Sequence, residues 1–479
     1  MPQSPYLELL SSQRLKPTSQ ERLPVEEALS DKMRIVNCSA FRRLGGKAQV
    51  FSLARAGTVR DRLTHSIEVA GYGQLVAAKI ADGLVSKERD ALPRELWMPF
   101  VQTVENACLL HDIGNPPFGH MGEYAIREWF KTNAGALEHA WLKNNRLNGA
   151  EVNAQLQAFK NFDGNPQGLR IMTRLQWFDH AFGLNLTCSL LGAYCKYIGG
   201  VVSKADPFKK KIGFFPSERT TVTATWRQLG LNQDNDGTPA QRHPLAFIME
   251  AADDIAYCIS DIEDALEKKL VTEKQFIEFA EVTMPDLIKR ARANAEKTND
   301  WLMENGLYHY FRVFLSQELV GAAAQAYLES EKGILDGTHA EALLGNKSRR
   351  IAADMVKKFA GAHIYTSREA VEMVVGGLQA VTSILDAYRP MLLLGTEEFE
   401  RLQNKEDFDR LKDFPMLSQL FSLLPHRQEI AYRWQVEQNP KLEPVYRTQL
   451  VIDYLSGMTD THALKIYNMI NGTQPFGVE

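Results

Sequence analysis

An all-α fold follows from three features of the sequence. Apolar residues recur at helical spacing through 24–44, 64–84, 96–111, 120–132, 168–176, 181–198, 245–266 and 273–304. Residues 245–266 contain neither Gly nor Pro and read as a single long helix. The alternation that a half-buried strand requires is sparse and is clearest at 220–225, a threonine-rich run.

Taken in order, the first helix at 24–44 leads into a basic, Gly-containing turn that ends at Gln49 and Phe51. The stretch 64–84 carries His65 beside Ile67, Val69, Ala70, Leu75, Val76 and Ile80, which places His65 on the inner face of a helix. The helix at 96–111 is stopped by Gly114, Pro116, Pro117 and Gly119, and the next begins at His120. Residues 144–168, rich in Asn, Gln and Gly, are expected to form a loop or lid, and 206–216 and 232–239 read as inserted loops. Beyond about residue 275 the charged, apolar-periodic helices form a further portion. In it, 371–385 carries Gly376 and Gly377 in mid-run, as close helix packing or a subunit interface tolerates. The expected divisions are 1–61, an N-terminal helical segment; 62–266, the core with inserted loops; and 267–479, a C-terminal helical portion.

Composition narrows the class of protein. The chain has 479 residues and a formal net charge of −4, so it is not a nucleic-acid-coating protein, and a polyanion site has to be a local pocket. Neither a nucleic-acid partner nor a nucleotide effector is indicated. Cys38, Cys108, Cys188, Cys195 and Cys258 are widely spaced among apolar residues and read as reduced core cysteines. The N-terminal residues lack a basic segment followed by an apolar core. Even 371–394 is interrupted by Glu372, Gln379, Asp386 and Arg389, so a cytoplasmic protein without a membrane partner is expected.

The most informative run is 108–123, where His111, Asp112, His120 and Glu123 surround a Gly/Pro turn after an apolar helix. Adjacent helical side chains diverge by about 100°, so His111 and Asp112 reach one ion only where the helix is ending. Imidazole and carboxylate donors together suit Mn, Fe, Co, Ni or Mg with positions left for water. A single divalent ion held by His65, His111, Asp112 and Asp253 would acidify a bound water and polarise a phosphoryl oxygen. His120 and Glu123 are helical neighbours, so the carboxylate can orient the ring and favour its protonated form, as a general acid requires. Arg62 lies one turn before His65, in reach of a phosphate at the same ion. Asp253, Tyr257 and Asp261 share one stripe of the long apolar helix, which suggests a polar pocket.

The order His…His-Asp…Asp resembles the HD-domain metallohydrolases. The runs 42–51, 62–65, 111–120, 250–257 and 453–460 narrow the match. Spread over nearly the whole chain, they resemble the deoxyguanosine triphosphate triphosphohydrolase family. The resemblance implies an HD-domain helical core with additional C-terminal helices. It also implies a metal-dependent enzyme that splits a deoxynucleoside triphosphate, dGTP foremost, into deoxynucleoside and triphosphate. The alternatives are a broad-range triphosphohydrolase, another HD nucleotide phosphohydrolase, or a nucleotide- or nucleic-acid-binding regulator. The matching residues make His120 and Glu123 act at the α-phosphate and leaving 5′-oxygen. They place Tyr257 and Asp261 at the sugar 3′-hydroxyl, and Gln49 and Lys47 along the sugar and base pocket. Lys211, in the run Lys209-Lys210-Lys211, matches a basic stretch for the phosphates. Asp254 serves either behind the metal or on the phosphate side. Where many relatives have a His, this chain has Gly164, leaving that role vacant or with Asn165 or another residue. Family members form symmetric oligomers, often hexamers, so a homo-oligomer is expected.

Overall fold

A computed structural model describes residues 4–18, 22–51, 59–86, 89–144, 147–176, 181–298, 305–345, 347–404 and 409–473. The principal helices are α1 (Pro24–Asn37), α2 (Arg62–Val85), α3 (Trp97–Leu110), α4 (Gly119–Asn144), α5 (Gly149–Lys160), α6 (Gly164–Arg170), α7 (Cys188–Tyr194), α8 (Arg219–Gln228) and α9 (Pro244–Glu267). They are followed by α10 (Glu273–Thr283), α11 (Pro285–Thr298), α12 (Gly306–Asp336), α13 (Lys347–His363), α14 (Arg368–Leu393), α15 (His426–Gln438), α16 (Glu443–Ser456) and α17 (Asp460–Asn471). Among the described residues there is no strand, only isolated bridges such as Ala48 to Asp61.

Two apolar clusters organise the chain. In the first, α2 packs on α3 and α9, with α1, α7 and α12 around them. Helix α3 is buried almost throughout, from Pro99 to Leu110, so the polar residues that follow it emerge from the interior. The second joins α4 and α5 to α14, α16 and α17 through Phe130, Phe159, Ile384, Tyr388 and Leu455. All five cysteines are free and buried. Helix α14 is long and apolar enough to cross a membrane by composition, yet Val381, Ile384, Leu385 and Tyr388 on it are core residues of the second cluster.

Several expected elements differ. Residues 220–225 are helical: Val222, Thr225 and Trp226 bury one face of α8, and Thr225 Oγ1 donates back to the Thr221 carbonyl, so threonines with strand preference are carried by helical burial. The expected loop at 144–168 holds α5 and the start of α6. Asn148 caps α5 by accepting from the Glu151 N–H at 3.0 Å, and Val152, Leu156 and Phe159 bury its apolar face. The helix expected at 181–198 is confined to α7, capped by Thr187. The first helix breaks at Cys38, and Pro285 separates α10 from α11. Residues 299–304 of the expected long helix lie outside the described residues.

Candidate active site

Three helices meet at the site, and local chemistry fixes each. Asp61 caps α2: its Oδ1 accepts from the Thr64 N–H at 2.8 Å, and Arg62 and His65 in the first turns are buried. The α3 terminus delivers His111, whose Nδ1–H donates to the Cys108 carbonyl at 2.7 Å, leaving Nε2 to face the site. Asp112, on the following turn, accepts from Asn115 Nδ2 at 2.6 Å on one oxygen and from Arg62 Nη1 at 2.5 Å on the other. Pro244 opens α9 and His243 caps it with Nδ1, accepting from the Leu245 N–H at 3.2 Å.

Asp253 projects from α9 so that its Oδ1 lies 3.5 Å from His65 Nε2 and 3.6 Å from His111 Nε2. Donor atoms of His65, His111 and Asp112 lie within 4.8 Å of one another, and this nitrogen-and-oxygen set fits a divalent ion. Burial alone would raise the Asp112 and Asp253 pKa values. Arg62, His111 and His65 instead hold Asp112 well below the carboxylate range, and His111, His65 and Lys196 do so for Asp253. Both carboxylates are therefore ionised.

Beyond the turn, Phe118 and Gly119 take left-handed backbone angles, φ +61° and +55°. Gly119 is required twice over, because a Cβ there would lie 2.2 Å from Arg62 Nη2. His120 Nδ1 pairs with Glu123 Oε2 at 3.1 Å, and the other Glu123 oxygen accepts the Gly164 N–H at 2.7 Å. The Glu123 hydrogen bond raises the His120 pKa against the cost of burial, and burial of Glu123 is outweighed by His120, so the pair holds a proton on the ring. A Cβ at Gly164 would come 2.1 Å from Asn115 Oδ1 and 3.2 Å from Glu123 Oε1. A side chain at position 164 would therefore run into Asn115 and Glu123.

These residues line one cavity of about 490 Å³, together with Gln49, Lys211 and Tyr257. Gln49 Oε1 is buried without a hydrogen-bond partner, as a ligand contact would leave it. Lys211 Nζ reaches in from the loop and meets Asp163 Oδ2 at 2.6 Å. Asp253, Tyr257 and Asp261 do form one stripe: Tyr257 lines the cavity, and Asp261 is buried behind it, pushed up to about 6 by desolvation. Asp254 does not face the cavity; the turn of the helix aims it at Lys357 Nζ, 3.1 Å away. Lys47 is likewise not in the wall. Its Nζ donates to the Asn115 and Ser456 carbonyls at 2.5 and 2.7 Å, and burial lowers its pKa to about 7.

Sequence reasoning missed three wall residues. Tyr365, between α13 and α14, hydrogen-bonds both Tyr257 and Asp261. Lys196 lies 3.8 Å from Asp253 Oδ2, and Asn115 orients Asp112. Only Asn115 had a signal, its place in the 111–120 run. The 453–460 motif also gains its partners: Asp453 binds Arg170, and Asp460 accepts the Phe118 N–H at 2.8 Å and the Ala48 N–H at 2.9 Å.

Known proteins match this architecture. The HD domain family model matches residues 62–164, and the phosphohydrolase-associated domain matches 399–469. A deoxyguanosinetriphosphate triphosphohydrolase of Salmonella typhimurium (strain LT2) is 35% identical over 92% of each chain. Its counterpart in Yersinia enterocolitica is 33% identical over 92% of this chain and 93% of the relative. With the alignment running across both matched domains at this identity, the chain belongs to the deoxyguanosinetriphosphate triphosphohydrolase family of HD-domain proteins.

Proposed function

We propose that this chain hydrolyses a deoxynucleoside triphosphate, dGTP foremost, releasing deoxynucleoside and intact triphosphate. The observation that carries the reading is the convergence of His65, His111, Asp112 and Asp253 with the His120–Glu123 pair on one cavity. The names of the Salmonella and Yersinia relatives supply the substrate. His65, His111, Asp112 and Asp253 would hold one divalent ion, of Mn, Mg, Fe, Co or Ni type, which when bound acidifies water and polarises the α-phosphoryl oxygen.

The remaining chemistry belongs to the chain. His120, kept protonated by Glu123, donates its proton to the departing 5′-oxygen, and Glu123 stabilises the ring in each charge state. Arg62, Lys196 and Lys211 face the same cavity and supply positive charge for three phosphates. Tyr257 and Asp261, with Tyr365 bonded to both, form the polar end suited to a sugar hydroxyl. Gln49 is placed for the base or sugar. The same reading includes a cytoplasmic homo-oligomer, a hexamer being one of the forms it allows, which light scattering tests at micromolar concentration.

Incubation with each of the four dNTPs, followed by ion-exchange separation of products, tests the reaction. Deoxyguanosine and triphosphate should appear fastest from dGTP. Release of pyrophosphate, or equal rates for all four bases, would overturn the bond cleaved or the base preference respectively.

A further inference from the structure

The N-terminus of α6 carries a carboxylate that the chemistry proposed above does not use. Asp163 precedes Gly164, is 2% exposed and lies in the wall of the catalytic cavity. Its Oδ1 caps the helix, accepting from the Asn165 N–H at 3.0 Å and from Asn165 Nδ2 at 2.5 Å. A cap needs one oxygen, which Asn or Ser supplies as well as Asp does. The other oxygen, Oδ2, meets Lys211 Nζ at 2.6 Å.

That contact sets Lys211 apart from its neighbours. In the run 209–211, Lys209 pairs with Asp206 and Asp234 at 3.7 and 3.5 Å, and of the three lysines Lys211 is the one that lines the cavity. The backbone beside it is anchored, because the Gly213 N–H donates to the Gly199 carbonyl at 2.7 Å. Its long stem is flexible and loses much rotamer freedom when the ammonium is fixed. Two cavity residues restrain it: the Tyr197 ring lies 5.8 Å from Nζ, and Asp163 is its ion-pair partner. Burial would lower the Lys211 pKa, and the charges of Asp163 and Glu123 raise it instead, so the ammonium stays charged. It offers further donors beyond the one that Asp163 takes, and can hold a phosphate oxygen without leaving the carboxylate.

We propose that Asp163 is a positioning residue for the reaction, acting through Lys211: it holds the lysine at the cavity in the free enzyme, so that the phosphate chain meets a cation already in place. The inference rests on the polyphosphate occupant proposed for the cavity. Ordering the lysine beforehand removes that entropy cost from the binding step. The next residue does the same for the acid pair, since the Gly164 N–H donates to Glu123 Oε1 at 2.7 Å. One helix start thereby sets both Lys211 and Glu123. Asp163→Asn separates the two roles. The amide keeps an oxygen for the cap, and with it the place of Gly164, while its NH2 group turns donors toward an ammonium that needs an acceptor.

A double-mutant cycle, read by isothermal titration of the metal-loaded protein with inorganic triphosphate, tests this without turnover. Asp163→Asn should weaken triphosphate binding about tenfold in the native background and change it by less than about twofold in the Lys211→Ala background, because the carboxylate acts only through that lysine. Asp163→Ser, which also caps α6 and has no second oxygen, should behave alike in the same cycle, with circular dichroism as the folding control. Equal losses in the two backgrounds would reduce Asp163 to a structural cap. Unchanged or tighter binding by Asp163→Asn would show that the carboxylate is idle or competes with phosphate for the lysine. Either result overturns the proposal alone, whereas failure of the native chain to bind triphosphate overturns it together with the reading of the cavity.

Discussion

His120 and Glu123 divide the acid's work between a proton and the charge that keeps it there. His120→Ala should retain metal and bind nucleotide while kcat falls by roughly 10²–10⁴, the usual size of a positioned acid; a change confined to KM would limit His120 to positioning. The sign of the pH effect follows from the raised His120 pKa. An acid works while protonated, so activity falls as pH rises through that value. Glu123→Gln removes the raising charge, and the alkaline limb of the kcat profile should move to lower pH; an unmoved limb would assign the proton to another group. For the ligand set, His111→Ala or Asp253→Ala should deplete bound metal, measured by plasma mass spectrometry, and abolish hydrolysis. Full metal content in both variants would sink the four-ligand reading.

At the scale of the element, α9 depends on His243, buried at its N-cap with Nε2 donating to the Leu9 carbonyl at 3.1 Å. Burial lowers the His243 pKa to about 4. A depressed folded value means that its contribution is complete above the unfolded pKa, about 6.5, and is lost as pH falls toward 4. The whole shift corresponds to about 3 kcal/mol as an upper figure. Asn can cap without titrating, so the stability advantage of the native chain over His243→Asn, from urea unfolding, should shrink between pH 7.5 and 4.5. A gap independent of pH would show that the ring does not titrate on unfolding. Helix α14 illustrates packing at this scale: a Cβ at Gly377 would lie 2.6 Å from the Phe118 ring, whereas Gly376 faces open space. Of the two glycines in that run, one is set by contact with the catalytic turn.

Across the molecule, the two halves are tied by Arg170, buried with Asp453 at 2.8 Å and Glu218 at 2.9 Å, and with Gln435 accepting from it. Asp453→Ala leaves that guanidinium with one carboxylate in a dry interior, and unfolding free energy should drop by roughly 3–5 kcal/mol. Chemical denaturation measures it; a loss under 1 kcal/mol would mean that the network is relieved by water.

The sequence by itself determined the all-α class, because helical apolar spacing is a local property that α2, α3 and α9 express wherever they pack. It also singled out His65, His111, Asp112, Asp253, His120 and Glu123, whose residue types sit at helix ends and on one stripe. What is nonlocal was decided by the tertiary structure. The sequence between 144 and 168 looks like a loop until Val152 and Phe159 find the second apolar cluster. Threonines at 220–225 carry no helical signal without the burial of Trp226. Asp254 and Asp253 are chemically alike, and only the packing of α9 turns one to the histidines and the other to Lys357. Tyr365, Lys196 and the Asp460 clamp belong to segments remote in sequence from the metal pair, so no spacing rule could place them: side-chain periodicity fixes which face a residue occupies, but the partner of that face is set by how the helices assemble.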